Sequence, residues 1–464
     1  MKLLLTVIFF PILGSILVYI LPKRYKAAAS ALILGIAFLF SLLLTAVFLK
    51  GKEILFSSHL NSWLSISFTA DGLAVFMASL SLLVGFLIAL YSIEYMRDYE
   101  EGGAFYFWMV LFLGSMTGLV FSANLLLLFC FWEITSVCSW RLIGFYRGEK
   151  DLKAADKAFL VTFFGASLFL IAIVLVYLNY GALELSVLKG VSLANLVAFL
   201  FLAGIISKSA QLPLQSWLPD AGVAPTPVTA LLHAAVLVKI GIYAFARLFN
   251  LTFVSSPLFL NSAILVSVIT IIVAAGSALV EKNMKRILAY STISQLGYIL
   301  LALALNTGIS FKIALVYILA HSLAKAGLFL CAGIIEHKTG SKNINELGGL
   351  LKTMPYTATA YLLCAFSIIG IPPFLGFWPK LMVVLLSFKA GYLLAGTAAV
   401  IGALLTLFYL MRLFEGVFLG EAKIQAREDA GSFMVAVVLI LGVLSLFLGL
   451  LVKLPLNLVN SLIK

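Results

Sequence analysis

About fourteen times along this chain an apolar run of roughly 20 residues gives way to a short polar turn, a rhythm that restricts the fold more than any other feature. The runs begin near Leu3, Ala27, Leu73, Ala104, Asn124, Ala158, Leu193, Pro227, Leu258, Arg286, Phe311, Tyr356, Leu381 and Phe433. A 20-residue helix is ~30 Å long, the thickness of a bilayer's hydrocarbon layer. No water reaches the backbone there, so each run must close its hydrogen bonds within itself, as a helix. A β-barrel would need shorter, alternating segments and is excluded. The expected class is therefore an all-α polytopic membrane protein with about 14 transmembrane helices. The eighth to eleventh runs are the clearest, while Pro372, Pro373 and Pro379 blur the boundary between the twelfth and thirteenth.

Of the 464 residues 63% are hydrophobic and 11% charged, and no polar stretch is long enough to hold a soluble core. The largest polar stretches, Asn61 to Asp71 and Gly420 to Gly431, are short. One integral domain, residues 1–464, accounts for the chain. The start resembles a leader peptide but lacks a small-residue cleavage site, and is expected to remain as the first span. The net charge of +12 does not point to nucleic acid, because the cations fall in the short loops. Loops after odd-numbered spans carry most of them, including Lys23, Arg24, Lys150, Lys153, Lys157, Lys285, Arg286 and Lys342. The opposite side has fewer, among them Lys50, Lys52, Lys189, Arg247, Lys312 and Lys464. Positive loops face the cytoplasm, so both termini are expected outside, with the chain in a prokaryotic plasma membrane and its surface against lipid. The four cysteines lie in apolar runs with no C-x-x-C, so neither a metal site nor an iron–sulfur cluster is expected in this chain.

Five ionisable residues stand where lipid-spanning helices should have none: Glu133, Lys208, Lys239, Lys325 and Lys380. A central lysine costs about 2.5–3.5 kcal/mol on insertion scales, and four of them roughly 10–14 kcal/mol. Static ion pairs or snorkelling would explain one such residue. Four near mid-span are too deep to snorkel, and one glutamate cannot neutralise them. A hydrated interior, with the charges in a row across the membrane, is the remaining solution, and such a row is a proton path. His321 lies four residues before Lys325 and shares its helix face; His233 lies six before Lys239, on a different face. Either histidine could instead be a packing residue, His233 more readily than His321.

Prolines accompany two of the lysines. Pro213 interrupts a helix just after Lys208, and Pro372 and Pro373 do so just before Lys380. Broken helices at membrane depth line cavities and occur in pairs in transporters built from two repeats. Each half holds about five helices, and an odd-numbered unit inverts when repeated. The expected organisation is helices 1–3 in residues 1–103, a first repeat of helices 4–8 in 104–249, a second of helices 9–13 in 258–412, and helix 14 in 432–464.

Those residues lie in stretches that resemble a known family. "SKSAQLPLQSWLPDAGVAPTPVTALLHAAVLVKIGIY", Ser207 to Tyr243, is similar to the signature of the antiporter-like subunits shared by respiratory complex I, membrane-bound hydrogenases and Mrp-type cation/proton antiporters. "FTADGLAVFM" at Phe68, "FWEITSVCSWRLIGFY" at Phe131, "KRILAYSTISQLGYI" at Lys285, "HSLAKAGLFL" at His321 and "GIPPFLGFWPK" at Gly370 agree with it. The resemblance covers roughly Asp71 to Arg412. It implies fourteen helices with two inverted five-helix repeats. It also implies a hydrophilic axis of Glu133 on the fifth helix, Lys208 on the broken seventh, Lys239 on the eighth, His321 and Lys325 between the halves, and Lys380 on the twelfth. The chain stops soon after its last span, which favours the family's shorter types.

The function this implies is proton (or sodium) translocation within a complex I-related, redox-driven assembly. Iron–sulfur clusters and other redox centres would lie only in partner subunits. The partners would be other membrane subunits, homologous antiporter-like ones included, and peripheral redox subunits. An Mrp-type antiporter without electron transfer is the alternative. A stand-alone solute transporter would need a substrate pocket, and a degenerate scaffold would not keep the whole charge row.

Overall fold

The computed structural model describes residues 1–51, 54–59, 65–97, 99, 102–424 and 429–463. Lys52, residues 61–64, Arg427 and Lys464 lie outside the described residues. The apolar runs do form helices: α1 (Lys2–Ile20), α2 (Lys23–Leu49), α3 (Gly72–Tyr95), α4 (Gly102–Phe121), α5 (Leu125–Ile143) and α6 (Glu149–Tyr180). The seventh span is broken into α7 (Asn195–Lys208) and α8 (Trp217–Asp220), followed by a short 3-10 turn. Next come α9 (Thr226–Asn250), α10 (Pro257–Val280), α11 (Met284–Ala304) and α12 (Gly308–Thr339). The twelfth span is broken into α13 (Pro355–Ile369) and α14 (Phe377–Lys389); α15 (Leu393–Phe418), α16 (Ser432–Leu450) and a short amphipathic α17 (Lys453–Leu462) complete the order. Twelve of these helices are long and apolar enough to cross a membrane unbroken, and the two broken spans bring the number to fourteen.

Three features differ from the sequence reading. Leu381, expected to open the thirteenth span, lies inside α14, and the thirteenth span is α15 from Leu393. A half-helix that follows two prolines and carries a third in its first turn looks like the start of a span when only hydropathy is read. The sixth span starts at Glu149 rather than near Ala158, because its first turns are charged yet helical, with Glu149 and Asp151 favourably placed at the N-terminus. Strands were not anticipated: β1 (Ile54–His59) pairs antiparallel with β2 (Ser65–Ala70) in the loop before α3.

An internal repeat is written in the backbone. Asn124 caps α5 by accepting the N–H groups of Leu126 and Leu127, and Asn283 caps α11 by accepting those of Lys285 and Arg286. Isolated bridges join Asn124 to Glu184 and Asn283 to Asn343. Both α6 and α12 have 32 residues and end at a left-handed glycine, Gly181 and Gly340. Each of these pairs is separated by 159 residues. At the helix breaks the separation is 160. Gln211 N–H bonds the Ile206 carbonyl and Ile371 N–H bonds that of Phe366. Ala210 (φ 50°) and Gly370 (φ 88°) turn the chain at equivalent points, and the bonds before Pro213 and Pro373 are both cis. The halves α4–α9 and α10–α15 each cross five times, so the second is inverted relative to the first.

The central elements are the buried ones: α9 is buried throughout its apolar window and α11 and α12 almost so, while α1, α2, α6, α10, α15 and α16 turn much of their surface outward. Exposed Leu13, Leu32, Leu160, Leu178, Val280 and Leu394 belong to this outward-facing periphery. Between helices in lipid, close contact of small residues replaces the hydrophobic drive. Gly165 on α6 lies so near Ser207 and the Ala203 carbonyl that no Cβ fits there.

Candidate functional site

The first break places Lys208. α7 ends on this residue because Pro213 offers no N–H and the chain turns through Ala210, a left-handed conformation that a side chain normally avoids. The Trp217 indole N–H donates to the Ser207 carbonyl (3.0 Å) and ties the two ends of the break together. Lys208 is fully buried. Its Nζ donates to Ser136 Oγ (2.7 Å) and the Trp132 carbonyl (3.4 Å) on α5, and stands 5.4 Å from the Trp132 ring centroid. A cation at the last residue of a helix also faces the negative end of its dipole. Glu133, half-buried on α5, is within electrostatic reach of Lys208, but among the described residues no ion pair joins them. Glu133 Oε1 has no hydrogen-bond partner.

Lys380 reaches the same kind of counter-charge from the other side of a break. It lies in the first turn of α14, and its Nζ donates to the carbonyls of Ile368 (2.5 Å) and Ile369 (3.1 Å), the free end of α13. Tyr298 presents its ring 5.2 Å away. In the repeat, Lys380 therefore corresponds to Asp220, and Lys208 to Ile368. The two lysines are not equivalent in sequence, yet both use a severed helix end.

Lys239 follows the same logic on α9. Residues Leu231–Ala235 form a π-turn, with Val236 N–H bonding the Leu231 carbonyl (3.0 Å), and the Ala234 carbonyl so released accepts from Lys239 Nζ. Lys325 on α12 donates to Ser291 Oγ (2.7 Å) and the Leu288 carbonyl (3.1 Å) on α11; Ser291 is in turn 2.8 Å from the Tyr409 hydroxyl. Between these lysines lie the histidines. His233 stacks on Phe329 with centroids 4.3 Å apart, and His321 lies within electrostatic reach of Lys239, Lys325, His233 and Lys380. Both ring nitrogens of each histidine are buried without partners. The expected row thus forms two groups, Glu133 with Lys208, and Lys239–His233–His321–Lys325–Lys380. They meet where α9 crosses α7: a Cβ on Gly241 would lie 2.4 Å from the Ile205 carbonyl oxygen. Gly241→Val is expected to wedge this crossing and cost roughly 1–3 kcal/mol, read as a lower thermal midpoint of the purified protein. An unchanged midpoint would refute the close contact.

The sequence reading missed a second charged layer. Lys285 and Arg247, read as loop cations, are buried. Lys285 Nζ pairs with Glu336 Oε2 (2.6 Å), and Lys342 with Glu336 Oε1 (2.9 Å). Arg247 and Asp71, the N-cap of α3, form a two-pronged pair on the opposite face. Asp220 joins Lys157 (2.7 Å) and Arg286 (2.5 Å). In the turn before α11, burial opposes ionisation of Glu281, but Arg286 and the N–H groups of Asn283 and Lys282 hold its carboxyl below the usual range. The available signal for the group around Lys285 was Glu336, eleven residues and three helical turns beyond Lys325 on one face. Among the described residues no cluster of His, Cys, Asp and Glu could hold a metal ion.

Residues 122–406 match the family model described as NADH:quinone oxidoreductase/Mrp antiporter, transmembrane, and residues 58–107 match complex I chain 5 N-terminus. The NADH-quinone oxidoreductase subunit L of Escherichia coli K12 is 34% identical over 98% of this chain and 78% of its own length. The chloroplast NAD(P)H-quinone oxidoreductase subunit 5 of Adiantum capillus-veneris is 38% identical over 77% of this chain and 51% of its own length. Among solved structures, a chain of an archaeal membrane-bound sulfane sulfur reductase superimposes with a TM-score of 0.91 at 25% identity, over 99% of this chain and 97% of that one. A chain of the Mrp complex of Dietzia sp. DQ12-45-1b does so at 0.89 and 24%, over 100% and 97%, and shares the fold.

Proposed function

This chain belongs to the NADH:quinone oxidoreductase/Mrp antiporter transmembrane family, and from that premise we propose that it is the proton (or sodium) translocating, antiporter-like subunit of a redox-driven membrane complex. One observation carries the reading. Buried Lys208, Lys239, Lys325 and Lys380 are held by helix-end and mid-helix carbonyls and serine hydroxyls, with no carboxylate in contact among the described residues. A structural ion pair fixes its charge; a lysine held by neutral dipoles can shed and regain a proton without breaking a salt bridge. Water supplied to the unpartnered nitrogens of His233 and His321 would join the lysines into a path.

Within this proposal Lys208 exchanges its proton as the charge of Glu133 changes, and His321 and Lys325 pass it between the halves to Lys380. Pro213, Pro372 and Pro373 keep the helix ends open. Moving one charge against 100 mV requires about 2.3 kcal/mol, the equivalent of a swing of about two pKa units. Both termini lie outside a prokaryotic plasma membrane, opposite the basic loops. Redox drive is favoured over antiport alone because the curated relatives at 34–38% identity are named as oxidoreductase subunits. The protein should be extracted gently from its native membrane and its co-purifying chains identified by mass spectrometry. Subunits carrying iron–sulfur clusters are expected. An assembly containing only other small membrane subunits would overturn the redox reading in favour of an Mrp-type antiporter.

A further inference from the structure

On the face that carries the basic loops, a cleft of about 360 Å³ opens between the start of α6, α8 and the start of α11. Its charged lining is Lys150, Lys153, Lys157, Arg286, Lys342 and a single carboxylate, Asp220. We propose that this cleft binds the phosphate headgroup of an anionic phospholipid, whose acyl chain runs down the outer face of α6.

The charge pattern sets the ligand's sign. Five cations from three separate segments line the cleft beside one aspartate, which pairs with Lys157 and Arg286, while Glu149, Glu281 and Glu336 hold Lys153, Arg286 and Lys342 from outside the lining. Lys150 has no ion-pair partner among the described residues. Such a mouth repels sodium or hydronium, which separates it from the translocation path, and attracts a phosphate that needs several N–H donors. Its volume suits a headgroup.

Depth and stripe argue for a lipid. At 32 residues α6 is ~48 Å long, more than the ~30 Å hydrocarbon layer, so its charged first turns lie at headgroup level. Lys153, Lys157, Leu160 and Phe164 follow one another at helical spacing on one side. Leu160 and Phe164 are 63% and 56% exposed, so the cationic rim continues directly into an apolar track. Basic pockets between helices on this side of a membrane suit anionic headgroups. The inverted repeat offers a parallel. At the start of α12, the counterpart of α6, a second cleft is bordered by the chain's own amphipathic α17 and the residue after it, through Leu456, Asn460 and Ile463. In the first half, the amphiphile would come from the bilayer.

The test uses the intact complex in mild detergent, delipidated and titrated with phosphatidylglycerol or phosphatidylcholine, with bound lipid counted by native mass spectrometry. Lys150→Glu/Lys153→Glu is compared with Lys338→Glu/Lys352→Glu, an equal charge change at exposed positions outside the cleft's lining. Phosphatidylglycerol affinity is expected to fall at least about tenfold in the first pair and to hold in the second, with phosphatidylcholine bound equally weakly by all. The milder Lys150→Gln/Lys153→Gln pair, which leaves fewer like charges together, should fall in the same direction. Equal retention of phosphatidylglycerol in both glutamate variants would overturn the proposal. So would complete displacement by millimolar inorganic phosphate, which would make the site one for a free anion. A carbodiimide cross-link from Lys150 or Lys153 to an acidic segment of a co-purifying subunit would also overturn it.

Discussion

Replacing Lys208 by methionine is expected to lower ion translocation at least about tenfold, the minimum loss when an obligatory proton carrier is removed, while the protein still inserts and assembles. Methionine nearly matches the buried stem and removes only the ammonium, so the volume between α5 and α7 is kept. The groups left behind, Ser136 Oγ and the Trp132 carbonyl, are both mid-helix and can bond within α5. Stability should therefore change little or rise, because a central cation has been taken out of the membrane. Translocation measured in reconstituted vesicles and assembly measured by co-purification separate the two effects. Undiminished translocation would remove Lys208 from the path. Loss of assembly together with activity would make the residue structural.

The second large effect is expected at Glu336. Its carboxylate holds Lys285 at 2.6 Å and Lys342 at 2.9 Å, and accepts from Thr226 Oγ1 at 3.3 Å. Lys285 also donates to the Ala224 carbonyl at 3.1 Å, so this group fastens α11 and α12 to the start of α9. Glu336→Gln leaves two ammonium groups facing each other, one of them only 1% exposed. Breaking a buried pair by removing one partner costs about 3–5 kcal/mol. A clear drop in the thermal midpoint of the purified protein is the expected result. Lys285→Met/Glu336→Gln should recover part of it, since the stranded charge is then gone. A single variant as stable as the parent would show that the pair carries no net stabilisation. This behaviour is opposite to that of Lys208: where a carboxylate compensates the charge, removing the carboxylate harms stability; where carbonyls compensate it, removing the lysine harms transport.

That contrast was only half legible in the sequence. Lys208, Lys239, Lys325 and Lys380 stood out because each interrupts an apolar run. Lys285 and Arg247 did not, because each lies at the end of a run, where a cation is ordinarily a solvated loop residue. Burial at a helix end depends on which neighbouring helix covers it, and no local pattern reports that. Nor did the sequence show what holds Lys208: Glu133 lies within electrostatic reach, but the lysine bonds to Ser136 and Trp132. The π-turn before Lys239 was likewise unreadable from hydropathy, which is the same for π- and α-turns.

The sequence by itself determined the number of spans, their helical nature and the helix breaks. These follow from backbone chemistry within a few turns: lipid demands closed hydrogen bonds, and proline denies them. Where hydropathy alone had to decide, at Pro379 and Leu381, it misplaced the thirteenth span. Only the tertiary structure decided which groups neutralise each buried charge and how the two halves correspond. The partners of Lys208, Lys285 and Lys325 come from helices tens of residues away, and the separations of 159 and 160 residues are visible only as matched caps, bridges and turns. Counter-charge inside a membrane is a matter of distance in space, and spacing along the chain does not encode it.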